Sequence, residues 1–344
     1  MSLNKLIEEF LLERGALKVG FSTTETLAGG PPSIDLAYKL EGARSAVSFA
    51  LPMNRDHIRA FFAKEDRGPH EIDNLSTNTR SKGISWELAD FLKKEGHAAK
   101  GLNANMKYRM ELPGWELEMH PDISHRYLAA RSGVGSFGWS GNVGIKGFGT
   151  AIILGGTLTT AELEPTDPIP EDESFCDQCK LCVSACAGGM FEKDKETSVT
   201  IGGHTFTHAA RKDLVLCHFV CGGFSGLARS GKWSTWSPGR FRFPENKEEL
   251  AKEFFRSMPL YAQRPPMPGG YHHPSLPGMT TYMTCGNCQI LCFGDKKQTA
   301  ANLKLLHKSG CVLQRPDGSL YSLPAEEAAI VFEEMEPERK KLYC

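Results

Sequence analysis

Cys176-Asp177-Gln178-Cys179-Lys180-Leu181-Cys182-Val183-Ser184-Ala185-Cys186 decides how this chain is read, together with Cys285-Gly286-Asn287-Cys288-Gln289-Ile290-Leu291-Cys292 about a hundred residues further on. Three thiolates separated by two residues each can wrap one iron-sulfur cube, and a fourth after a gap of three reaches across to a second cube. The later run supplies the complement. Cys285 and Cys288 present both sulfurs to one cube from a tight loop carried by Gly286 and Asn287, and Cys292 turns toward its neighbour. Two cubes need one more thiolate from a separate segment, and Cys217 and Cys221 are the candidates between the runs. The assignment taken here places Cys176, Cys179, Cys182 and Cys292 on one [4Fe-4S] cluster, with Cys186, Cys217, Cys285 and Cys288 on the other.

Two plainer readings of the cysteines fit less well. A structural zinc asks for paired C-x2-C ligands and has no use for three Cys at two successive two-residue gaps followed by a wider one. Disulfides are disfavoured by an odd total of 11 Cys and by an N-terminus, Met1-Ser2-Leu3-Asn4-Lys5, that opens directly into an amphipathic helix. A reducing cytoplasm is therefore the expected location. The 40 basic and 41 acidic residues give a formal charge of -1, which removes a general nucleic-acid footprint. No apolar run is long enough for a membrane span, so no membrane partner is expected.

Working outward, Leu3, Leu6, Ile7, Phe10 and Leu11 predict a first helix between a Ser2 cap and Gly15. Strands are predicted at 17–21 and 46–51 and again at 150–154 and 156–159, with a helix through Ile84, Leu88 and Leu92 that Gly96 stops. Residues 56–79 read as charged and irregular. This alternation argues an α/β or α+β layer of residues 1–162 ahead of the cysteines. Asp122 reads as the cap of a short helix ended by Gly133, and a glycine-rich loop follows with Gly135, Gly138 and Gly141. A dinucleotide fingerprint is excluded there, because that motif follows a strand and opens a helix. A Pro- and acid-rich linker, 162–173, leads to the cysteines. Between the two runs, Arg229, Lys232, Trp233, Trp236, Arg240, Phe241, Arg242 and Phe243 interleave bases and aromatics, which suits either a planar or phosphate-bearing ligand or plain packing. Pro316-Asp317-Gly318 and Pro324 predict a hairpin and helix within 301–344.

With these parts in order, the chain resembles the epoxyqueuosine reductase and reductive dehalogenase superfamily, whose members couple two [4Fe-4S] clusters to a cobalamin. The resemblance rests on Leu40-Glu41-Gly42-Ala43-Arg44, on Arg126 running into Ser132-Gly133-Val134-Gly135 and Gly138, on Gly149 and Leu154 to Thr159, and on both Cys runs with Cys217 between them. It implies an α+β fold: a nitroreductase-like corrinoid-binding layer over 1–162, a bacterial-ferredoxin-like two-cluster part over 163–300 with a long insertion, and a terminal hairpin and helix. It implies that Arg126, Gly133, Gly135, Gly138, Gly141 and Gly149 hold the cofactor. The activity implied is reduction of an organic substrate, small or nucleoside-like, by electrons from an external low-potential donor. Transfer RNA is a less favoured partner. The alternative is an electron-transfer or corrinoid-activating protein with no substrate of its own.

Departures from the family pattern sharpen this. The Asp that gives a proton in epoxyqueuosine reductases falls on Met119, and Trp139 and Ser140 stand where a basic residue and Asn are common. Asp122 and Tyr127 then become the nearest candidates for proton delivery, with Tyr108 more distant. No Asp-x-His-x-x-Gly motif occurs, so the cobalamin is expected base-off, without a His from that source.

Overall fold

The computed structural model describes residues 2–103, 107–115, 120–212, 214–272 and 280–344. Helix α1 (Leu3–Glu13) begins where the Ser2 hydroxyl accepts from the Lys5 amide at 3.4 Å, and it buries Ile7 and Leu11. Gly15, at φ 85°, reverses the chain into β1 (Lys18–Thr23). That strand pairs with β2 (Ser45–Pro52), β2 pairs with β6 (Ile152–Thr159), and β3 (Ala99–Gly101) closes the far edge. Every pairing is antiparallel. The choice left open between α/β and α+β therefore falls to α+β.

Alternation along β2 builds the layers. Val47, Phe49 and Leu51 face Ile7, Leu11, Ile84, Leu88 and Leu92. Ala46 and Ala50 face the opposite side, where their small size admits α4 (His125–Arg131) through Leu128, Ala129 and Ala130. A Cβ on Gly20 would strike the Ser132 carbonyl, so close approach of this helix end requires glycine there.

The irregular stretch expected at 56–79 is helical instead. Asn54 caps α2 (Arg55–Ala63), its Oδ1 accepting from Asp56 N at 2.9 Å and His57 N at 3.1 Å, and α3 then runs unbroken over Gly68–Lys94. The periodicity was invisible because α3 buries polar residues, including His70, Glu71, Thr77, Ser81 and Ser85. Ser85 Oγ accepts from Gly156 N at 3.3 Å and its carbonyl accepts from Thr157 Oγ1 at 2.8 Å, so the helix docks on β6 through hydrogen bonds as well as apolar contact.

The acid-rich linker is strapped down rather than free. Thr166 Oγ1 accepts from Phe21 N at 2.9 Å and donates to Ser132 O at 2.5 Å, and Leu163 N reaches Ser45 Oγ at 3.1 Å. Ahead of it lie β4 (Ser136–Phe137) and β5 (Val143–Gly144) of the glycine loop, and beyond it comes α5 (Leu181–Ser184). An antiparallel hairpin that sequence reading missed follows, β7 (Phe191–Ile201) and β8 (His204–Arg211), turned at Gly202 and Gly203. Next are α6 (Leu214–Cys221), α7 (Lys247–Tyr261), α8 (Asn287–Ile290) and α9 (Lys296–Lys308), ahead of the expected terminal hairpin, Cys311–Gln314 with Leu320–Leu323. One apolar cluster draws Ile58, Phe61, Phe62 and Ile153 together with Ala185, Val220, Trp233, Trp236, Ile290 and Phe293. Trp233, Trp236 and Phe241 of the basic and aromatic segment are thus buried as packing, and Trp236 Nε1 donates to Phe61 O at 2.9 Å. Of the adjacent His272 and His273, His273 lies outside the described residues.

Candidate functional site

Gln178 and Lys180 adopt positive φ, 54° and 58°, and these two left-handed residues curl the first Cys run back on itself. The turn is held by Asp177 Oδ1 accepting from Cys179 N at 3.1 Å and by Ser174 Oγ accepting from Cys176 N at 3.2 Å. Cys292 arrives from the end of the second run, where a Cβ on Gly149 (φ 64°) would strike the Cys292 carbonyl, and Thr150 N donates to that same carbonyl at 2.9 Å. Cys176, Cys179, Cys182 and Cys292 line one cavity of about 290 Å³, beside Trp139 and Lys180. That volume lies just under the range of about 300–1,000 Å³ typical of drug-sized ligand sites, so it suits a compact inorganic group rather than a macrocycle. Backbone amides already point at the sulfurs: Trp139 N to Cys176 Sγ at 3.3 Å and Gly294 N to Cys292 Sγ at 3.4 Å. Burial, then the neighbouring Cys176, Cys179 and Cys292, push the Cys182 thiol up to about 12, and burial raises Cys179 to about 11. Thiols crowded in this way ionise only when a cation compensates them.

The remaining thiols form a second group. Cys186 interacts electrostatically with Cys285 and Cys217, and Cys288 with Cys217, Cys285 and Cys186. Helix α6 places Cys217 and Cys221 one turn apart, Sγ to Sγ 3.7 Å, and Cys221 also hydrogen-bonds Cys285. Both candidates for the eighth thiolate therefore reach this group. The hydrogen bond with Cys221, followed by the cations Arg211 and Arg126, holds the Cys217 thiol down to about 7. Met190 N donates to Cys186 Sγ at 3.3 Å, and Asn142 Nδ2 lies 3.9 Å from Cys288 Sγ. Trp139, Met190, Phe191 and Ala209 form one apolar cluster against which Cys176 and Cys182 as well as Cys186, Cys217 and Cys288 pack. Among the described residues no three His, Cys, Asp or Glu side chains converge tightly enough for a single metal ion.

The glycines of the loop make their close approaches to the chain itself. A Cβ on Gly133 would strike Asp167 O, one on Gly135 would strike Gly144 O, one on Gly138 would lie 2.8 Å from the Phe175 ring, and one on Gly141 would lie 3.0 Å from Arg211 Nη2 and 3.1 Å from His208 Nδ1. The hairpin thus seats on the loop, where Phe206 and His208 also pack on Phe137 with ring centroids 5.9 and 5.6 Å away. Arg126 Nη1 donates to Gly141 O at 3.0 Å, and Tyr127 stacks edge-on against Phe137 at 6.0 Å. Gly286, at φ 112°, opens α8 with free space where a Cβ would be, and Asn287 Nδ2 donates to Ala185 O at 3.4 Å.

One local expectation is corrected. Asp122 does not cap α4; Ser124 does, its Oγ accepting from Tyr127 N at 3.4 Å. Asp122 instead pairs with Lys39 Nζ at 2.6 Å and accepts from Ile123 N at 2.9 Å, because the helix begins two residues later than the sequence suggested. Met119 lies outside the described residues. Sequence reading missed Arg211 and Asn142, and only the hairpin and the loop fold could have pointed to them.

No family model and no curated protein matches this chain. Among solved structures it is similar to a catabolic reductive dehalogenase, at 13% identity, with 98% of this chain and 37% of that chain covered and a TM-score of 0.50. It is also similar to the epoxyqueuosine reductase of Streptococcus thermophilus, at 16% identity, 99% and 75% coverage and a TM-score of 0.42. An epoxyqueuosine reductase solved with a tRNA-Tyr stem loop gives 20% identity, 55% and 52% coverage and a TM-score of 0.36. The chain spans about half the length of that last protein and little over a third of the dehalogenase. At such identities the dehalogenase likeness establishes a shared α+β fold.

Proposed function

We propose that this chain is an iron-sulfur reductase of the cobalamin-linked kind, in which two [4Fe-4S] clusters pass single electrons to a corrinoid that reduces an organic substrate. The observation supporting it is the sorting of the thiols: Cys292 of the second run joins Cys176, Cys179 and Cys182, while Cys186 of the first joins Cys217, Cys285 and Cys288. That exchange is what two-cube cross-ligation requires. Amides aimed at Cys176, Cys186 and Cys292 suit sulfur that carries charge. When bound, such clusters supply low-potential single electrons. In this reading 1–162 is the corrinoid layer, 163–300 the cluster part and 301–344 a terminal addition.

The corrinoid rests on the sequence resemblance. As folded here, the glycines assigned to it do not fit it, since their near neighbours are Asp167, Gly144, Phe175 and the hairpin. That observation favours a second reading, an electron-transfer protein that carries both clusters and no corrinoid. Asp122 and Tyr127 remain the proposed proton donors under the first reading only. Anaerobic purification, iron analysis and gel filtration with added cobalamin separate the cases. About eight irons with a retained base-off corrinoid spectrum support the first reading. The same iron with the corrinoid lost supports the second. One tight zinc and no iron ends both.

A further inference from the structure

Two arginines from distant parts of the chain meet at one short segment of the glycine loop. Arg126, on α4, donates from Nη1 to Gly141 O at 3.0 Å, and Arg211, at the end of β8, donates from Nη2 to Ser140 O at 3.0 Å. The next residue, Asn142, donates from Nδ2 to Cys288 O at 3.2 Å. Ser140, Gly141 and Asn142 therefore fix both guanidinium groups and the second thiol group in one frame. Neither arginine is ion-paired with a carboxylate among the described residues, and Arg211 Nε is buried without an acceptor. Arg126 keeps part of its surface exposed while its guanidinium is desolvated, with Arg211 as a repelling neighbour and Cys288 and Cys217 among its attractive ones.

A desolvated cation such as Arg126, with a second cation beside it, needs an anion nearby, and leaving it uncompensated is destabilising. Among the described residues, the thiolates of Cys217 and Cys288 are anions within electrostatic reach. The first group has a mixed field: Arg55 interacts with Cys292, but Asp177 adds negative charge at Cys179 and Cys292, and the nearby Lys180 is partly spent on Asp194 at 3.5 Å.

We propose that Arg126 and Arg211 are fixed counter-charges of the cluster held by Cys186, Cys217, Cys285 and Cys288, and that they set its reduction potential above that of the other cluster. Reduction adds one negative charge to a cluster, so neighbouring cations favour its reduced form. With both clusters bound, a low-potential one-electron donor would reduce the cluster held by Cys176, Cys179, Cys182 and Cys292, and single electrons would pass from it to the arginine-flanked cluster, the first being reoxidised as the second is reduced and no proton moving. Both arginines are positioning residues in this scheme, and the assignment rests on the two-cluster reading.

An EPR-monitored redox titration of the anaerobically purified full chain tests it, on the wild type, Arg126→Gln, Arg211→Gln and Arg211→Lys. The expected result is two couples in the wild type, with the higher one falling in both Gln variants at unchanged iron content. The lower couple stays fixed, and Arg211→Lys, which keeps the charge, holds the wild-type value. Both couples unmoved, or both moved alike, with iron intact would overturn the assignment. Should a Gln variant lose iron, Arg211→Lys decides: full iron and an unshifted higher couple support the role, and a fallen couple overturns it. Wild-type protein without iron overturns the two-cluster reading, and the assignment with it.

Discussion

The two thiol groups differ in how the chain builds them and in the field they sit in. Three of the thiols around the 290 Å³ cavity come from seven consecutive residues, curled by Gln178 and Lys180, and the charges nearby are of both signs. The second group is gathered from the end of that run, from α6, and from α8 with the loop before it, and it faces Arg126 and Arg211. Ligand spacing alone treats the groups as equivalent. The fold makes them unequal, because two arginines far apart in sequence converge beside the second group, whereas the first meets Arg55 together with the opposing charge of Asp177.

Cutting one group and sparing the other should produce the largest effect. Cys182→Ala is expected to remove the cluster of the first group and about half of the iron, leaving the EPR signal of the arginine-flanked cluster. In the second group, Cys217→Ser against Cys221→Ser distinguishes the two α6 thiols. Loss of half the iron in Cys217→Ser alone is the expected outcome, and the reverse result would transfer the ligand role to Cys221.

Glycines in the loop give a finer probe. Gly149 combines φ 64° with a Cβ position that collides with the Cys292 carbonyl, whereas Gly147, at φ 81°, has open space. Gly149→Ala should cost about 3 kcal/mol and loosen the first group through Cys292, while Gly147→Ala should cost about 1 kcal/mol. Thermal unfolding and iron retention measured on both variants would show whether the loop supports the first group as this geometry requires.

The core beneath both groups is expected to respond to pH. Burial, and then His57, lowers His70 to about 4, and both of its ring nitrogens lack partners. The unfolded chain takes up this proton near the ordinary value of about 6.5, so the contribution is complete above that pH and is lost as pH falls toward 4. Between pH 7 and 5 the expected loss is about 2 kcal/mol. His70 meets Phe61 edge-on at 4.8 Å, and His70→Phe should flatten this part of the pH profile. An unchanged slope would place the titration elsewhere.

Ser124→Ala should have the smallest effect. Loss of the α4 cap is expected to cost about 1 kcal/mol, read from thermal unfolding, and to leave both potentials in place. A shift in the higher couple would mean that α4 positions Arg126 more tightly than its single bond to Gly141 suggests.

The sequence by itself determined the two Cys runs, three strands of the central sheet (β1, β2 and β6, but not the edge strand β3), α1, the end of α3, the end of α4 at Gly133 and the terminal hairpin. Those features follow from local rules: thiol spacing, alternation, caps and glycines at positive φ. It could not show the first part of α3, whose buried face is polar, nor the start of α4, where Asp122 and Ser124 compete as caps and only the Lys39 ion pair removes Asp122. Tertiary structure alone decided that the loop glycines meet Asp167, Gly144, Phe175 and the hairpin, and that Arg126 and Arg211 converge on one thiol group. The reason is physical: close approach and electrostatic field depend on distance in space, and residues 126, 141, 211 and 288 become neighbours only after the hairpin has folded back over the loop.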